Sequence, residues 1–423
     1  MESTINPENQ DNITEVLEVA AEAGHIMLEN GAEIARVEET MERISAHYGI
    51  TSRNFFVLSN GIFTTGSGKY ANVEFIPIKG TQMEKIVATN TLSRAIEAGK
   101  YTIPEAKDEI ARIRAMKPKP AWEQILGSAF GSAGFCAIFG GSLLDCAAAF
   151  VTGIILWAFV LVVTAPYVSK MLGNILGGML ATALCFVFYK AGFGNSLGNM
   201  VVGALIPLIP GVAFLNGIRD LVNEDYIAGT TRLLDALIVF LGIALGACLV
   251  FITHGHISGG VIMLEGALTS PETANLAIQV AAAFIGTVAF AVLFGSPNNQ
   301  YVSCGIVGAI GWAVYYLVIN NTQLSIAETT FITSCVVVAL ARQAAKIRKC
   351  PKTVFLLCGL FPLIPGGGIF WTTYFLITKQ YQQALSSGMT AISVTLAIVL
   401  GIVVITGLPR LKKLHPVEKA KNS

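Results

Sequence analysis

The sequence predicts a polytopic α-helical membrane protein: ten transmembrane helices built as a 5+5 inverted-topology repeat, preceded by a small cytosolic α+β domain. Three observations lead there. Of 423 residues, 53% are hydrophobic and only 13% charged, about half the charge of an ordinary soluble domain. The charge is crowded at the front, with 18 of the 27 Asp and Glu at or before Glu123. The apolar remainder matches itself when displaced by 155 residues. Such a composition excludes a disordered chain and a secreted disulfide scaffold. The net charge of +1 gives no reason to expect a nucleic-acid partner. No signal peptide is expected, because Met1-Glu2-Ser3-Thr4 leads into a polar stretch without a basic or apolar segment.

Residues 1–120 read as the cytosolic domain. Ile34, Val37, Met41, Ile44 and Tyr48 recur at 3-4-3-4 spacing, which is one face of a helix. Asn30-Gly31 separates it from an earlier helix over about 13–29. Two β-rich runs, 54–58 and 62–65, flank Ser59-Asn60-Gly61, a hairpin signal. A third strand over 72–78 and helices over about 81–98 and 104–116 complete the domain, and Pro118-Lys119-Pro120 closes it. Arg36 and Glu38 read as a solvated helix face. Gly66-Ser67-Gly68-Lys69 lacks the glycine spacing of a Walker loop.

Ten apolar spans follow, near 122–141, 146–165, 171–190, 199–217, 233–253, 274–294, 301–319, 327–345, 354–376 and 388–407. Several approach the twenty residues that cross about 30 Å of hydrocarbon. With the N-terminus inside, seventeen Lys and Arg from Arg112 onward fall on the cytosolic side, Arg219 and Arg232 among them. Only Lys190 and Lys379 fall outside. The positive-inside rule predicts such a split. Both termini are therefore expected in the cytosol of a plasma (inner) membrane protein. Repeat 1 occupies 121–253, an outer linker 254–273, repeat 2 274–408, and a basic cytosolic tail 409–423. The eight cysteines form no C-x-x-C pair and read as packing residues. Neither a metal nor another cofactor is expected.

The 155-residue displacement brings Pro207-Leu208-Ile209-Pro210-Gly211 onto Pro362-Leu363-Ile364-Pro365-Gly366. It also brings Gln124 onto Gln279, Gly131 onto Gly286, Phe135 onto Phe290, Gly153 onto Gly308 and Trp157 onto Trp312. Each half holds five spans, so the second enters the membrane from the opposite side. Inverted repeats of this kind are a signature of secondary transporters. Two prolines and a glycine break a helix, and the half-helix beyond the break presents bare N–H groups and a positive dipole end suited to a carboxylate. Pro207, Pro210, Gly211, Pro362, Pro365 and Gly366 are therefore candidate substrate-binding positions, with Asn216 and its 155-residue counterpart Trp371. A kink that only aids packing is the competing reading.

Acids inside spans are scarce, and a buried carboxylate can carry a proton. Asp145, Asp220 and Asp235 are the candidate proton-coupling residues. Each also reads as an acid at headgroup depth, Asp220 paired there with Arg219 or Arg232. His254 and His256 flank the linker and read as loop residues. Gly177-Gly178 allow close helix contact.

On Gly31-Ala32-Glu33 through Arg36 to Glu38, Ser59-Asn60-Gly61, Gly140-Gly141…Asp145, Pro210-Gly211…Asn216…Asp220 and Pro362…Pro365-Gly366, the chain resembles the threonine/serine exporter family. The resemblance runs from about residue 13 to 410. It implies proton-driven export of small amino acids, with both halves of the family fused here. Some relatives split into two polypeptides and are associated with succinate export. The residues alone favour an amino acid over a dicarboxylate, because the spans offer almost no buried Lys or Arg to a second carboxylate. A zwitterion needs one anion site and one ammonium acceptor, such as Asp145 or Asn216. A passive channel and a membrane-anchored hydrolase are weaker readings: the spans are too apolar for a wide pore, and no G-x-S-x-G, H-E-x-x-H or Walker motif is present. The expected partners are the small molecule, protons, the lipid bilayer and a possible second copy of the chain as a homo-oligomer.

Overall fold

The computed structural model describes residues 7–50, 54–66, 71–77, 80–164, 168–258 and 275–407. The expected basic tail, most of the expected linker, the side chain of His256 and the end of the third expected strand lie outside them.

The N-terminal unit consists of α1 (Pro7–Glu29), α2 (Ile34–His47), β1 (Phe55–Leu58), β2 (Gly61–Thr65), β3 (Ala71–Phe75), α3 (Met83–Glu97) and α4 (Ile103–Arg114). The strands form one antiparallel sheet in the order β1-β2-β3. Leu58 pairs with Gly61 across the Ser59-Asn60 turn, as the hairpin signal predicts. Ile34, Val37, Met41 and Ile44 are fully buried on α2, against Ile26 and Met27 of α1, Ile62 of β2 and Ile96 of α3. Gly31, with φ of +83°, ends α1. Its N–H donates to Leu28 O at 3.0 Å, and Ala32 N–H donates to Met27 O at 3.0 Å. This Schellman pair uses glycine's freedom at positive φ and throws residues 31–34 out as a tight loop before α2.

The remaining helices are α5 (Ala121–Ile138), α6 (Leu143–Phe159, running into a π-helical turn at Val160–Thr164), α7 (Lys170–Lys190), α8 (Leu197–Leu205), α9 (Gly211–Val222) and α10 (Tyr226–Ser258). After the linker come α11 (Leu276–Leu293), α12 (Tyr301–Asn321), α13 (Ile326–Arg348), α14 (Lys352–Leu360), α15 (Gly366–Ile377) and α16 (Tyr381–Gly407). Seven helices are long and apolar enough to cross a membrane, and two bent pairs bring the number among the described residues to nine. The chain is a multi-pass membrane protein. The expected span not among these nine is the first, 122–141, on α5, which opens with Trp122-Glu123-Gln124 and carries glycine or serine at five later positions, so its apolar character is diluted.

Elements in the two halves start 155 residues apart: α5 and α11, α8 and α14, α9 and α15, α10 and α16. Their contacts keep the same displacement. Trp157 Nε1–H donates to Gln124 Oε1 at 3.3 Å, and Trp312 Nε1–H donates to Gln279 Oε1 at 2.8 Å. A Cβ on Gly131 would stand 3.2 Å from the Phe290 ring, and one on Gly286 would stand 3.1 Å from the Phe135 ring. Because Gly131 maps onto Gly286 and Phe135 onto Phe290, α5 and α11 meet reciprocally, each side offering the other the same surface.

The N-terminal unit rests on both halves. Met83 N–H donates to Phe294 O at 3.0 Å and Glu84 N–H to Gly295 O at 2.8 Å, so the start of α3 satisfies carbonyls at the end of α11. Lys119 Nζ bridges Glu84 Oε2 at 2.9 Å and Asn298 Oδ1 at 2.6 Å. Residues 31–34 reach the first half.

Candidate functional site

The two proline motifs interrupt the helices where the sequence places them. A one-turn 3-10 helix follows α8 (Ile206–Leu208) and another follows α14 (Phe361–Leu363); the chain bends by 65° into α9 and by 42° into α15. Ile209 is extended in the first break and Ile364 in the second, with ψ of 128° in both. Pro210 (φ −79°, ψ 54°) and Pro365 (φ −75°, ψ 43°) then sit near the inverse γ-turn geometry. Gly211 N–H donates to Ile209 O at 2.8 Å, and Gly366 N–H to Ile364 O at 2.7 Å. A proline between them cannot donate, so the γ-turn lets the freed carbonyl find a partner locally.

The breaks face one another. A Cβ on Gly211 would overlap the Phe361 ring and stand 3.0 Å from Ile364 Cδ1; one on Gly366 would overlap Ile209 Cδ1. Phe361 is itself stacked on Phe290, centroids 3.8 Å apart, with Phe135 and Phe294 edge-on. A residual cavity of about 10 Å³ remains beside Ile209, Gly366 and Phe370. In this arrangement the breaks are closed from both faces.

On the face that carries the N-terminal unit, the closure is polar. Asn216 Nδ2 donates to Gly31 O at 2.7 Å, and Arg232 Nη2 donates to Ala32 O at 2.8 Å. Ile34 N–H donates to Asp220 Oδ1 at 3.2 Å, while Arg232 Nη1 donates to Asp220 Oδ2 at 2.7 Å. Glu33 forms ion pairs with Arg219 and, at 2.9 Å, with Arg36 Nε. Arg219 Nη1 also reaches Thr353 Oγ1 of α14 at 3.5 Å. Glu33, Asn216, Arg219, Asp220 and Arg232 are each no more than 5% exposed. Burial works against ionisation of Glu33, but Arg219, then Arg36 and Lys352, override it and hold its carboxyl below the usual value. Asn216 Oδ1 is buried without a hydrogen-bond partner among the described residues.

Two expectations are corrected here. Arg219 and Arg232 are not solvated loop charges: they are the buried cations that the spans were expected to lack. Arg36 and Glu38 are not a solvated face either: Arg36 is half-buried against Glu33, and Glu38 Oε1 accepts from Val57 N–H at 3.3 Å. Each of these residues looks like a surface charge in its own segment. The available signal was that two of the stretches carrying the family resemblance, Gly31-Ala32-Glu33 through Arg36 and Asn216…Asp220, each place an acid beside an arginine at the end of an apolar segment.

The other candidates lie elsewhere. Trp371 is buried on α15 with Phe370, Tyr374 and Phe375, against Phe251 of α10, and its indole N–H is unpartnered among the described residues. Asp145 is buried at the start of α6. It completes a capping box with Ser142, whose N–H donates to Oδ2 at 2.7 Å; Oδ1 accepts from Asn195 N–H at 2.6 Å and Ser196 N–H at 3.0 Å. Asp235 is exposed and pairs with Lys170 at 3.6 Å on the surface. His254 stacks on Phe186. A cavity of about 940 Å³ opens between Arg36, Glu39 and Arg94 of the N-terminal unit and the second half. It is lined by Arg36, Arg94, Arg342, Lys346, Lys349 and Lys352.

The family described as "Putative threonine/serine exporter" matches residues 18–253, and "Threonine/Serine exporter, ThrE" matches 279–407. The chain is 21% identical to "Threonine/serine exporter" of Corynebacterium glutamicum over 93% of this chain and 82% of that protein. It is 20% identical to "Probable threonine/serine exporter" of Mycobacterium tuberculosis over 91% and 75%. It is 24% identical to "Pheromone-regulated membrane protein 10" of Kluyveromyces lactis over 88% of this chain and 41% of that one. No solved structure matches. The chain therefore belongs to the threonine/serine exporter family, a family of transporters and not of enzymes, and carries both of its modules in one polypeptide.

Proposed function

We propose that the chain is a secondary active transporter that exports small amino acids of the threonine/serine type from the cytosol, coupled to protons, by alternating access around the two broken helices. The observation that carries this reading is the reciprocal packing of the two breaks, Gly211 on Ile364 and Gly366 on Ile209. Matching breaks that meet at the centre of two repeats are what a rocking transporter needs. The shared displacement of elements and contacts supports a 5+5 inverted repeat in which α5 counts as the tenth span. The excess of Lys and Arg at one face supports cytosolic termini and a plasma-membrane location, with the N-terminal unit in the cytosol.

Among the three acids, Asp220 is the one placed for proton coupling. It is buried, joins both the loop and Arg232, and lies two turns beyond the first break. Asp145 serves as a brace between the outer end of α6 and the turn before α8, and Asp235 as a surface partner of Lys170. The paired breaks and Asn216 supply the polar backbone and side-chain groups near the pathway, and Trp371 lies on the opposite gate. The dicarboxylate alternative has two buried arginines in its favour, but one of them, Arg232, is already paired with Asp220, which would repel a second carboxylate.

Transport in proteoliposomes under an imposed pH gradient tests the proposal, with labelled threonine, serine and succinate compared. Gradient-driven, saturable movement of threonine or serine is expected. Movement of succinate alone would replace the substrate class, and the absence of gradient dependence for all three would overturn proton-coupled export.

A further inference from the structure

We infer that Arg219, Asp220, Arg232 and Asn216 form the recognition site for an amino-acid zwitterion, and that residues 31–34 of the N-terminal domain occupy it as a tethered stand-in for the substrate. The inference rests on the proposed transport of small amino acids and deepens it. It starts from what the loop offers: a carboxylate from Glu33 to Arg219, an N–H donor from Ile34 to Asp220 Oδ1, and two carbonyls, Gly31 O to Asn216 and Ala32 O to Arg232. An α-amino acid presents the same pair of groups, a carboxylate and an N–H donor, at short separation.

The charge balance points the same way. When the loop withdraws, it takes Glu33 and Arg36 with it. Arg219, Arg232 and Asp220 stay on α9 and α10, with one positive charge in excess. Arg232 remains committed to Asp220 Oδ2 at 2.7 Å. Arg219, and less directly Lys352 of α14, then lack their anion, and Asp220 Oδ1 lacks its donor. A zwitterion fills both: its carboxylate goes to Arg219 and its ammonium to Asp220. A dicarboxylate would place its second carboxylate against Asp220.

A second observation, independent of the ion pairs, concerns Asn216. Its Nδ2 is used by Gly31 O, yet its Oδ1 is buried with no partner among the described residues, and the side chain is 1% exposed. An orphaned buried acceptor is costly, and a purely structural latch would leave it so permanently. The Ile34 amide has one hydrogen to give; an ammonium has three, enough to serve Asp220 Oδ1 and Asn216 Oδ1 together. The loop leaves Asn216 Oδ1 unfilled, and an ammonium would reach it; in exchange Asn216 Nδ2 and Arg232 Nη2 would give up the carbonyls of Gly31 and Ala32 for the second carboxylate oxygen or water.

The test uses the full-length protein in lipid nanodiscs. Hydrogen exchange of the peptide spanning residues 30–37 is followed by mass spectrometry with no addition, with saturating threonine and with succinate, alongside equilibrium binding of labelled threonine to wild type, Glu33→Gln and Asp220→Asn. Threonine is expected to raise exchange at residues 31–34 several-fold, and succinate to leave it unchanged. Glu33→Gln, which weakens the competing loop, is expected to tighten threonine binding several-fold, and Asp220→Asn to weaken it more than tenfold. Saturable threonine binding with unchanged or slowed loop exchange would overturn the inference while leaving the transport reading intact. Weaker threonine binding by Glu33→Gln would do the same, since the loop would then be part of the site and not its competitor. Loop release by succinate and not by threonine would overturn the zwitterion assignment. If wild type neither binds nor moves threonine or serine, the transport reading fails and takes this inference with it. The exchange experiment needs no variant, so poor folding of Asp220→Asn does not blunt it.

Discussion

Adding one methyl group at each break separates their mechanical roles. A Cβ on Gly211 would overlap Phe361 Cε2, with Cδ2 at 2.8 Å and Ile364 Cδ1 at 3.0 Å. Phe361 cannot yield: it is 3% exposed, stacked at 3.8 Å on Phe290 and pressed edge-on by Phe135 and Phe294. A Cβ on Gly366 would overlap Ile209 Cδ1, but the next nearest atoms stand 3.5 Å and 3.6 Å away. Cδ1 is the end of a flexible side chain, and a χ2 rotation removes the clash at the cost of about 0.5–1.5 kcal/mol. Gly211→Ala should therefore cost about 1–3 kcal/mol, as overpacking of a filled core does, and Gly366→Ala only the rotamer cost of about 0.5–1.5 kcal/mol. Thermal unfolding in detergent and gradient-driven threonine transport read both. The Gly211→Ala protein should melt lower than Gly366→Ala and transport less, and Phe361→Leu in the Gly211→Ala background should restore part of each. Equal effects at the two glycines, or no rescue by Phe361→Leu, would refute the reciprocal packing of the breaks.

Three further outcomes follow from the same geometry. Asp220→Ala leaves Arg232 buried without its anion and should cost about 3–5 kcal/mol, whereas Asp220→Leu with Arg232→Met should recover much of the melting temperature without recovering transport. Asp145→Asn cannot accept from all three N–H groups that bind the carboxylate, so it should cost about 1–3 kcal/mol of stability, read as a lower melting temperature, yet keep gradient-dependent transport; loss of coupling at unchanged stability would make Asp145 a proton carrier instead. The Glu33 carboxyl is held below its usual value of 4.5, so its contribution is complete above that value and is lost as pH falls through the lowered one. The melting-temperature gap between wild type and Glu33→Gln should accordingly stay flat from pH 7 to 5 and close only below about 4.5.

The spans and breaks were legible in the sequence because their physics is local. Twenty apolar residues and a proline that removes a donor act on their own segment, and the 155-residue register reappears in the Gln124–Trp157 and Gln279–Trp312 pairs. The hairpin at Ser59-Asn60 and the buried stripe of α2 are equally local. The pairing of Asp220 with Arg232 was legible; the loop that covers it was not, because its contacts join residues 185 to 200 positions apart. At a helix end, an arginine bathed in water and one covered by a docked loop have the same neighbours in sequence. The charge count that fixed the orientation also disguised Arg219 and Arg232 as two more inside charges. Asp145 was readable in a different sense, since Ser142-x-x-Asp145 is itself a capping box; its rarity inside an apolar run drew a chemical reading to a residue whose observed partners are all local to one end of the helix bundle.

The two gates of the proposed cycle are built from different chemistry at equivalent positions. Asn216 and Trp371 occupy the same place in the two repeats, yet Asn216 meets the loop of the N-terminal domain and Trp371 sits in an aromatic cluster with Phe251 and Tyr374. The N-terminal domain also holds the second half through backbone hydrogen bonds from Met83 and Glu84 to Phe294 and Gly295. Rocking of one half against the other cannot preserve both attachments. The attachment to the second half uses main-chain groups that no amino acid would displace. The attachment to the first half uses a carboxylate, carbonyls and a single N–H, all groups an amino acid can replace. Substrate arriving from the cytosol would thus release only the first half, and the domain would travel with the second. An aromatic seal offers no such exchange to a zwitterion on the outer side. The proton gradient, not the gates, would set the direction of net movement; what the unlike gates set is that the substrate is recognised by exchange on the cytosolic side alone.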